Sequence, residues 1–201
     1  MNVEKRISKE LANEKATPIP GITAGLKNAN NLFHWHAEIA GPEGSPYEGG
    51  SFELDIRLPS KYPMEPPMVK FKTSIFHPNV DDQGSICLDI LKGQWSPALN
   101  VQKVLLSVSS LLTDPNFDDP LNGSATMLFK KDRNAYDKKC REFTRLHAMS
   151  ASQRQEFAAQ QGTKRKASTA LDSAPDSSAP NAKAKAKSKA KAKAKASRVR
   201  S

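Results

Sequence analysis

Two cysteines, Cys87 and Cys140, offer the most reactive nucleophiles in the chain. A lone cysteine is more often a small buried hydrophobe than a nucleophile. Cys140 fits that plain reading, because it shares a helical stripe with Tyr136 and Phe143. Cys87 lies instead in a Gly- and Asp-bearing run without hydrophobic period, Asp82-Gln83-Gly84-Ser85-Ile86-Cys87-Leu88-Asp89. Composition leaves its two readings, packing residue and nucleophile, evenly matched. With His77 and Asn79 it supplies the residue types of a cysteine hydrolase, which needs a histidine in reach of sulfur and a third group to orient it. The local signatures of cysteine proteases are absent, and a His-Pro-Asn run so close before the cysteine is not their arrangement. Spacing alone leaves the hydrolase open as the weaker reading. No phosphate-binding glycine loop of either common kind occurs. Four scattered histidines and two distant cysteines do not match zinc spacing. His34 and His36, on one face of a strand, are read as solvated residues.

These residues need elements to hold them. Val3, Ile7 and Leu11 recur at helical spacing, and Pro18, Pro20 and Gly21 end that helix. Alternation over Leu32–Ala40, over Ser51–Leu58 and at Val69 and Phe71 predicts three strands with one wet face, which favours antiparallel pairing. The Gly- and Pro-rich connector 41–50 reads as a turn. Residues 74–100 have no period, and a long irregular stretch inside a domain is usually functional. Asn100 then caps a helix carrying Val101, Val104, Leu105, Val108, Leu111 and Leu112, and Asp114-Pro115 stops it. A further helical stretch is predicted over 123–149, with Tyr136, Cys140, Phe143 and His147 on one stripe. Residues 149–160 continue it weakly.

The net charge of +10 is confined to one end. Residues 160–201 hold 12 of the 31 Lys+Arg and two of the 21 Asp+Glu, leaving 19 of each sign in residues 1–159. The remainder of the chain therefore has no overall electrostatic claim on nucleic acid. From residue 161 the apolar content is nearly all alanine, with lysine at every second position from Lys183 to Lys195. Repelling charges with nothing to pack predict a disordered tail. No run approaches the ~18 apolar residues of a membrane span, and the charged opening segment has no secretory h-region. A soluble intracellular protein with reduced thiols is expected.

An ordered set of motifs resembles the catalytic core of ubiquitin-conjugating enzymes across residues 1–148. It comprises His77-Pro78-Asn79, Gly84-Ser85-Ile86-Cys87-Leu88-Asp89-Ile90-Leu91 and Trp95-Ser96-Pro97-Ala98-Leu99. Gly41-Pro42, Pro46-Tyr47-Glu48-Gly49-Gly50, Tyr62-Pro63, Pro66-Pro67 and Asp114 to Leu121 also match. The resemblance implies one α/β domain of α+β type: an N-terminal helix, a four-stranded antiparallel sheet, the active-site stretch, a central helix and C-terminal helices. The periodicities give three strands, and the fourth is expected around residues 74–76 or just before Cys87.

The resemblance further implies that Cys87 takes the acyl terminus of ubiquitin from an activating enzyme as a thioester. It would then pass that group to a substrate lysine or to a ligase cysteine. Asn79 would stabilise the oxyanion or hold the active-site loop. Asp119 would orient the attacking amine, Asp118 being a turn residue, while His77, Leu88 and Asp89 support the site. Lys5, Arg6 and Lys9, with Pro63, Met64, Ser96, Pro97 and Ala98, would meet the activating enzyme and a RING-type or HECT-type ligase. Many relatives carry an aromatic where this chain has Met64. No cofactor is expected on the chain, since ATP and Mg²⁺ serve the activating enzyme. The tail, with Lys164-Arg165-Lys166, resembles a nuclear import signal, and its lysines could contact nucleic acid or chromatin without reading sequence. The expected location is nucleus and cytoplasm. The other readings are conjugation of a different ubiquitin-like modifier and a chromatin-associated binding protein.

Overall fold

The computed structural model describes residues 2–149, together with Gln153 and Gln155. The basic tail, its Lys164-Arg165-Lys166 cluster and most of the weak helical continuation at 149–160 lie outside the described residues.

Helix α1 (Val3–Ala16) starts at Asn2, whose side chain accepts the Glu4 and Lys5 amide hydrogens. It is followed by β1 (Ile22–Leu26), β2 (His34–Ala40), β3 (Ser51–Arg57) and β4 (Met68–Phe71), an antiparallel meander in that order. The register puts Trp35 opposite Ile56, Ala37 opposite Leu54 and Ile39 opposite Phe52, all six buried, while His36, Glu38 and Glu53 face outward. This is the one-wet-face sheet that alternation predicts.

The fourth strand is β1, not the segment around 74–76 or before Cys87. Its residues, Ile-Thr-Ala-Gly-Leu, have little β propensity beyond the first two and follow directly on Pro-Gly punctuation. Pairing with β2 makes it a strand, through Ile22 opposite Ile39 and Leu26 opposite Trp35. Near Cys87 only isolated bridges form, Lys70 with Ser85 and Val80 with Ile86.

Helix α2 (Val101–Thr113) has the foreseen cap, Asn100 Oδ1 accepting the Lys103 N–H at 2.9 Å. All six of its stripe residues are buried in one hydrophobic cluster with the inner face of the sheet. Burying each such side chain stabilises the fold by about 1.5–3 kcal/mol before chain entropy is counted. The last helical stretch is two helices, α3 (Gly123–Lys131) and α4 (Arg133–His147). Asp132 ends the first and caps the second, its carboxylate accepting the Ala135 N–H at 2.9 Å. Tyr136 and Cys140 lie buried on the expected stripe, but Thr144 continues it inward while His147 is exposed and stacks on Phe143. Cys140 is fully buried, with its sulfur 3.4 Å from the Phe76 carbonyl, and burial pushes its thiol pKa up. Among the described residues no helix is long and apolar enough to cross a membrane.

Candidate active site

His77, Asn79 and Cys87 are brought together by a tight reversal of the chain. The Asp81 carboxylate accepts the Gln83 and Ser85 amides at 2.9 and 2.8 Å, and the Asp81 amide donates to the Ser85 carbonyl at 3.1 Å. Gly84 closes this turn at φ 78°, where its carbonyl accepts the Phe71 N–H. A Cβ there would lie 2.0 Å from the Phe71 carbonyl oxygen, so the turn can seat on β4 only with glycine. At its base the Cys87 N–H donates to the Asn79 carbonyl at 2.8 Å.

His77 is wholly buried and both ring nitrogens are in use. Nδ1 accepts the Asn79 N–H at 3.0 Å, and Nε2 donates to the Leu111 carbonyl in α2 at 2.9 Å. Burial lowers its pKa to about 4 against the bond to Leu111, so the ring is neutral at physiological pH. It joins the turn to α2 and makes no contact with the thiol.

Asn79 is also fully buried and grips the segment after α2. Its Oδ1 accepts the Asn116 N–H at 2.9 Å, while Nδ2 donates to the carbonyls of Asn116 and, at 3.3 Å, Asp119. The Pro78 carbonyl adds two further bonds, from the Leu121 and Asn122 amides at 2.9 Å each. Thus held, Asp119 reaches over Cys87, whose sulfur donates to Asp119 Oδ2 at 2.7 Å.

Leu88 is half-buried against the core and Asp89 is exposed. Asp89 opens a 3-10 turn, Asp89–Leu91, and its carbonyl accepts the Lys92 and Gln94 amides at 2.9 and 3.1 Å. That reversal returns Lys92 to the site, with Nζ 3.2 Å from Cys87 Sγ and 3.0 Å from Asp119 Oδ2. Sequence reading missed Lys92. Its spacing matches neither strand nor helix, and only the 3-10 turn turns it back. The Cys87 thiol pKa is pushed up by burial and by the Asp119 carboxylate, with Lys92 pulling the other way. The Asp119 carboxyl is held below its usual range by bonds from Cys87 and Lys92. The Lys92 ammonium is raised by its bonds to Cys87 and Asp119.

The expected docking residues are knitted into one face. The Trp95 indole donates to the Pro63 carbonyl at 2.8 Å and its ring lies 5.9 Å from that of Tyr62. Arg6 pairs with Glu10 and donates to the Leu99 carbonyl at 2.6 Å. The buried Glu10 carboxylate, which no periodicity places in the core, accepts the Tyr62 hydroxyl and, at 3.0 Å, the Val101 N–H at the start of α2. Lys5, Lys9, Met64, Ser96, Pro97 and Ala98 present exposed side chains, whereas Pro63 is buried and Arg6 turned inward. Pro63 and Arg6 therefore shape this face more than they display it.

A meander flanked by helices, a reversal that sets Asn79 beside Cys87, and an acidic segment across the sulfur match the arrangement the sequence motifs imply. The ubiquitin-conjugating enzyme family matches residues 6–144, and the chain belongs to that family. It is accordingly a conjugating transferase, whose family works with an activating enzyme and a ligase on ubiquitin or a ubiquitin-like modifier.

Proposed function

We propose that this chain carries ubiquitin as a thioester on Cys87, taken from the ubiquitin-activating enzyme, and passes it to a substrate lysine or to the cysteine of a HECT-type ligase. A thioester suits this work because it is activated towards amines and thiolate is a good leaving group. The observation carrying the proposal is the contact of Cys87 with Asp119 on a segment that Asn79 holds. The unbroken Cys87-Leu88-Asp89-Ile90-Leu91 run favours ubiquitin over other modifiers.

Asp119 orients the incoming amine in this reading. The Lys92 ammonium already occupies such a position, in reach of both the carboxylate and the sulfur, so a lysine head group fits there. A carboxylate also raises the pKa of an amine beside it, so desolvation on assembly has to supply much of the activation. Asn79 acts first by holding the 116–121 segment. To serve as an oxyanion donor its Nδ2 must leave the Asn116 and Asp119 carbonyls. His77 and Leu88 support the site, and Asp89 shapes the turn behind the cysteine. Ligases of RING type would engage Met64 and residues 96–98, and Lys5 and Lys9 would greet the activating enzyme. ATP and Mg²⁺ are used by that enzyme, with no cofactor held here. Residues 1–148 form the catalytic core in this account, and the basic tail directs the protein to the nucleus and contacts polyanions.

The test is to incubate the full chain with ubiquitin, its activating enzyme, Mg²⁺ and ATP, then run non-reducing gels. A ubiquitin-sized shift that thiol removes supports the reading. No shift, with an activating enzyme proven on another carrier, would transfer the proposal to a different modifier.

A further inference from the structure

We propose that Lys92 is a positioning residue that tunes Cys87: its ammonium, lodged between the sulfur and the Asp119 carboxylate, makes a thiolate tolerable beside that carboxylate. The proposal rests on the reading of Cys87 as the acyl carrier.

The thiolate, not the thiol, is the nucleophile. Cys87 is only 4% exposed, and its sulfur touches a carboxylate oxygen at 2.7 Å. Deprotonation there sets a buried negative sulfur directly against a carboxylate whose other side is open to solvent. Other titratable groups nearby are Asp89 on the following turn, Asp118 on the segment across the site and the neutral His77 behind Asn79. Hydrogen-bond contact with the sulfur comes from Asp119 and Lys92. Lys92 is thus the cation placed to offset both the burial and the carboxylate. The Asp89 carbonyl, by accepting the Lys92 N–H, fixes where the lysine leaves the chain.

In charging, the Cys87 thiolate attacks the thioester carbonyl carbon on the activating enzyme. A new S–C bond forms, the old one breaks and the activating enzyme's thiolate leaves, while the proton from Cys87 has gone to solvent. In transfer, the neutral substrate amine attacks the acyl carbon, and the new N–C amide bond forms as the Cys87 S–C bond breaks. The amine's surplus proton goes to solvent, and the negative charge returns to a sulfur that Lys92 Nζ reaches at 3.2 Å. Lys92 therefore acts on the free thiol before charging, and gives up its place beside Asp119 when a substrate amine enters.

The test alkylates the full chain with iodoacetamide across the alkaline range and follows Cys87 by peptide mass spectrometry. The thiolate displaces iodide, and neither modifier nor activating enzyme is present, so this result and that of the charging assay stand apart. Lys92→Met should move the pH midpoint upward and slow alkylation below it by about three- to tenfold, since one pKa unit is a tenfold change in thiolate. Lys92→Arg should restore the midpoint, and Asp119→Asn should lower it. A Lys92→Met midpoint that stays put or falls would overturn the proposal. So would an effect confined to the high-pH plateau, which reports access, or an arginine variant that behaves like methionine.

Discussion

Asn79 and Asn116 are clasped at both ends of one amide. Asn79 Oδ1 accepts the Asn116 N–H at 2.9 Å and Asn79 Nδ2 donates to the Asn116 carbonyl. Because the same nitrogen reaches the Asp119 carbonyl at 3.3 Å, the side chain sets where the carboxylate sits over Cys87. Asn79→Ala should slow transfer from the charged thiol to free lysine by about 10²-fold, the scale of a misplacement of about 1 Å in a positioning group. If Asn79 acts by holding the segment, hydrogen exchange at the Asn116 amide should quicken in parallel. Slow transfer with unchanged exchange would point to the oxyanion role instead.

Stability should fall in acid through His77. Its pKa drops from an ordinary 6.5 to about 4 on folding, chiefly by burial. Between those values the unfolded chain binds the proton more readily, so stability is full above pH 6.5 and declines as pH falls towards 4. The shift corresponds to a loss on the order of 3 kcal/mol. Urea unfolding at pH 7 and pH 4.5 should show a steeper loss in the native protein than in His77→Gln. Equal slopes would remove His77 from the account.

Glu10 makes a second buried polar junction. Tyr62→Phe removes the hydroxyl that donates to its carboxylate, leaving Arg6 and the Val101 N–H to satisfy it. A loss of about 1–3 kcal/mol is expected, the usual consequence of leaving a buried acceptor short of a donor. Urea denaturation reads this directly, and an unchanged midpoint would show that water replaces the hydroxyl.

How much of this was legible follows from what carries each feature. The strands β2 and β3 and helix α2 were readable because one face of each is buried against a single core, which imposes a period. Strand β1 was not, because its pairing with β2 rather than its own Ala24 and Gly25 makes it a strand. The break at Asp132 was hidden by helix formers on both sides. Motif order pointed to Cys87, Asn79 and Asp119. Lys92 and Glu10 depend on contacts across the fold, with Asp119 and Tyr62 respectively, and no local spacing encodes them.

The tail carries the chain's entire net charge. With all ten net positive charges in residues 160–201, a chain ending at residue 159 should lose salt-sensitive retention on a DNA column and keep thioester formation. Retention that survives the deletion would return nucleic-acid contact to the remainder of the chain.

Comparing the two thiols decides whether Cys87 is the acyl carrier. Full-length Cys87→Ala and Cys140→Ala proteins are each mixed with ubiquitin, activating enzyme, Mg²⁺ and ATP, and their intact masses are measured without reductant. A thiol-sensitive adduct of one ubiquitin is expected on Cys140→Ala and none on Cys87→Ala. An adduct persisting on folded Cys87→Ala would contradict that assignment.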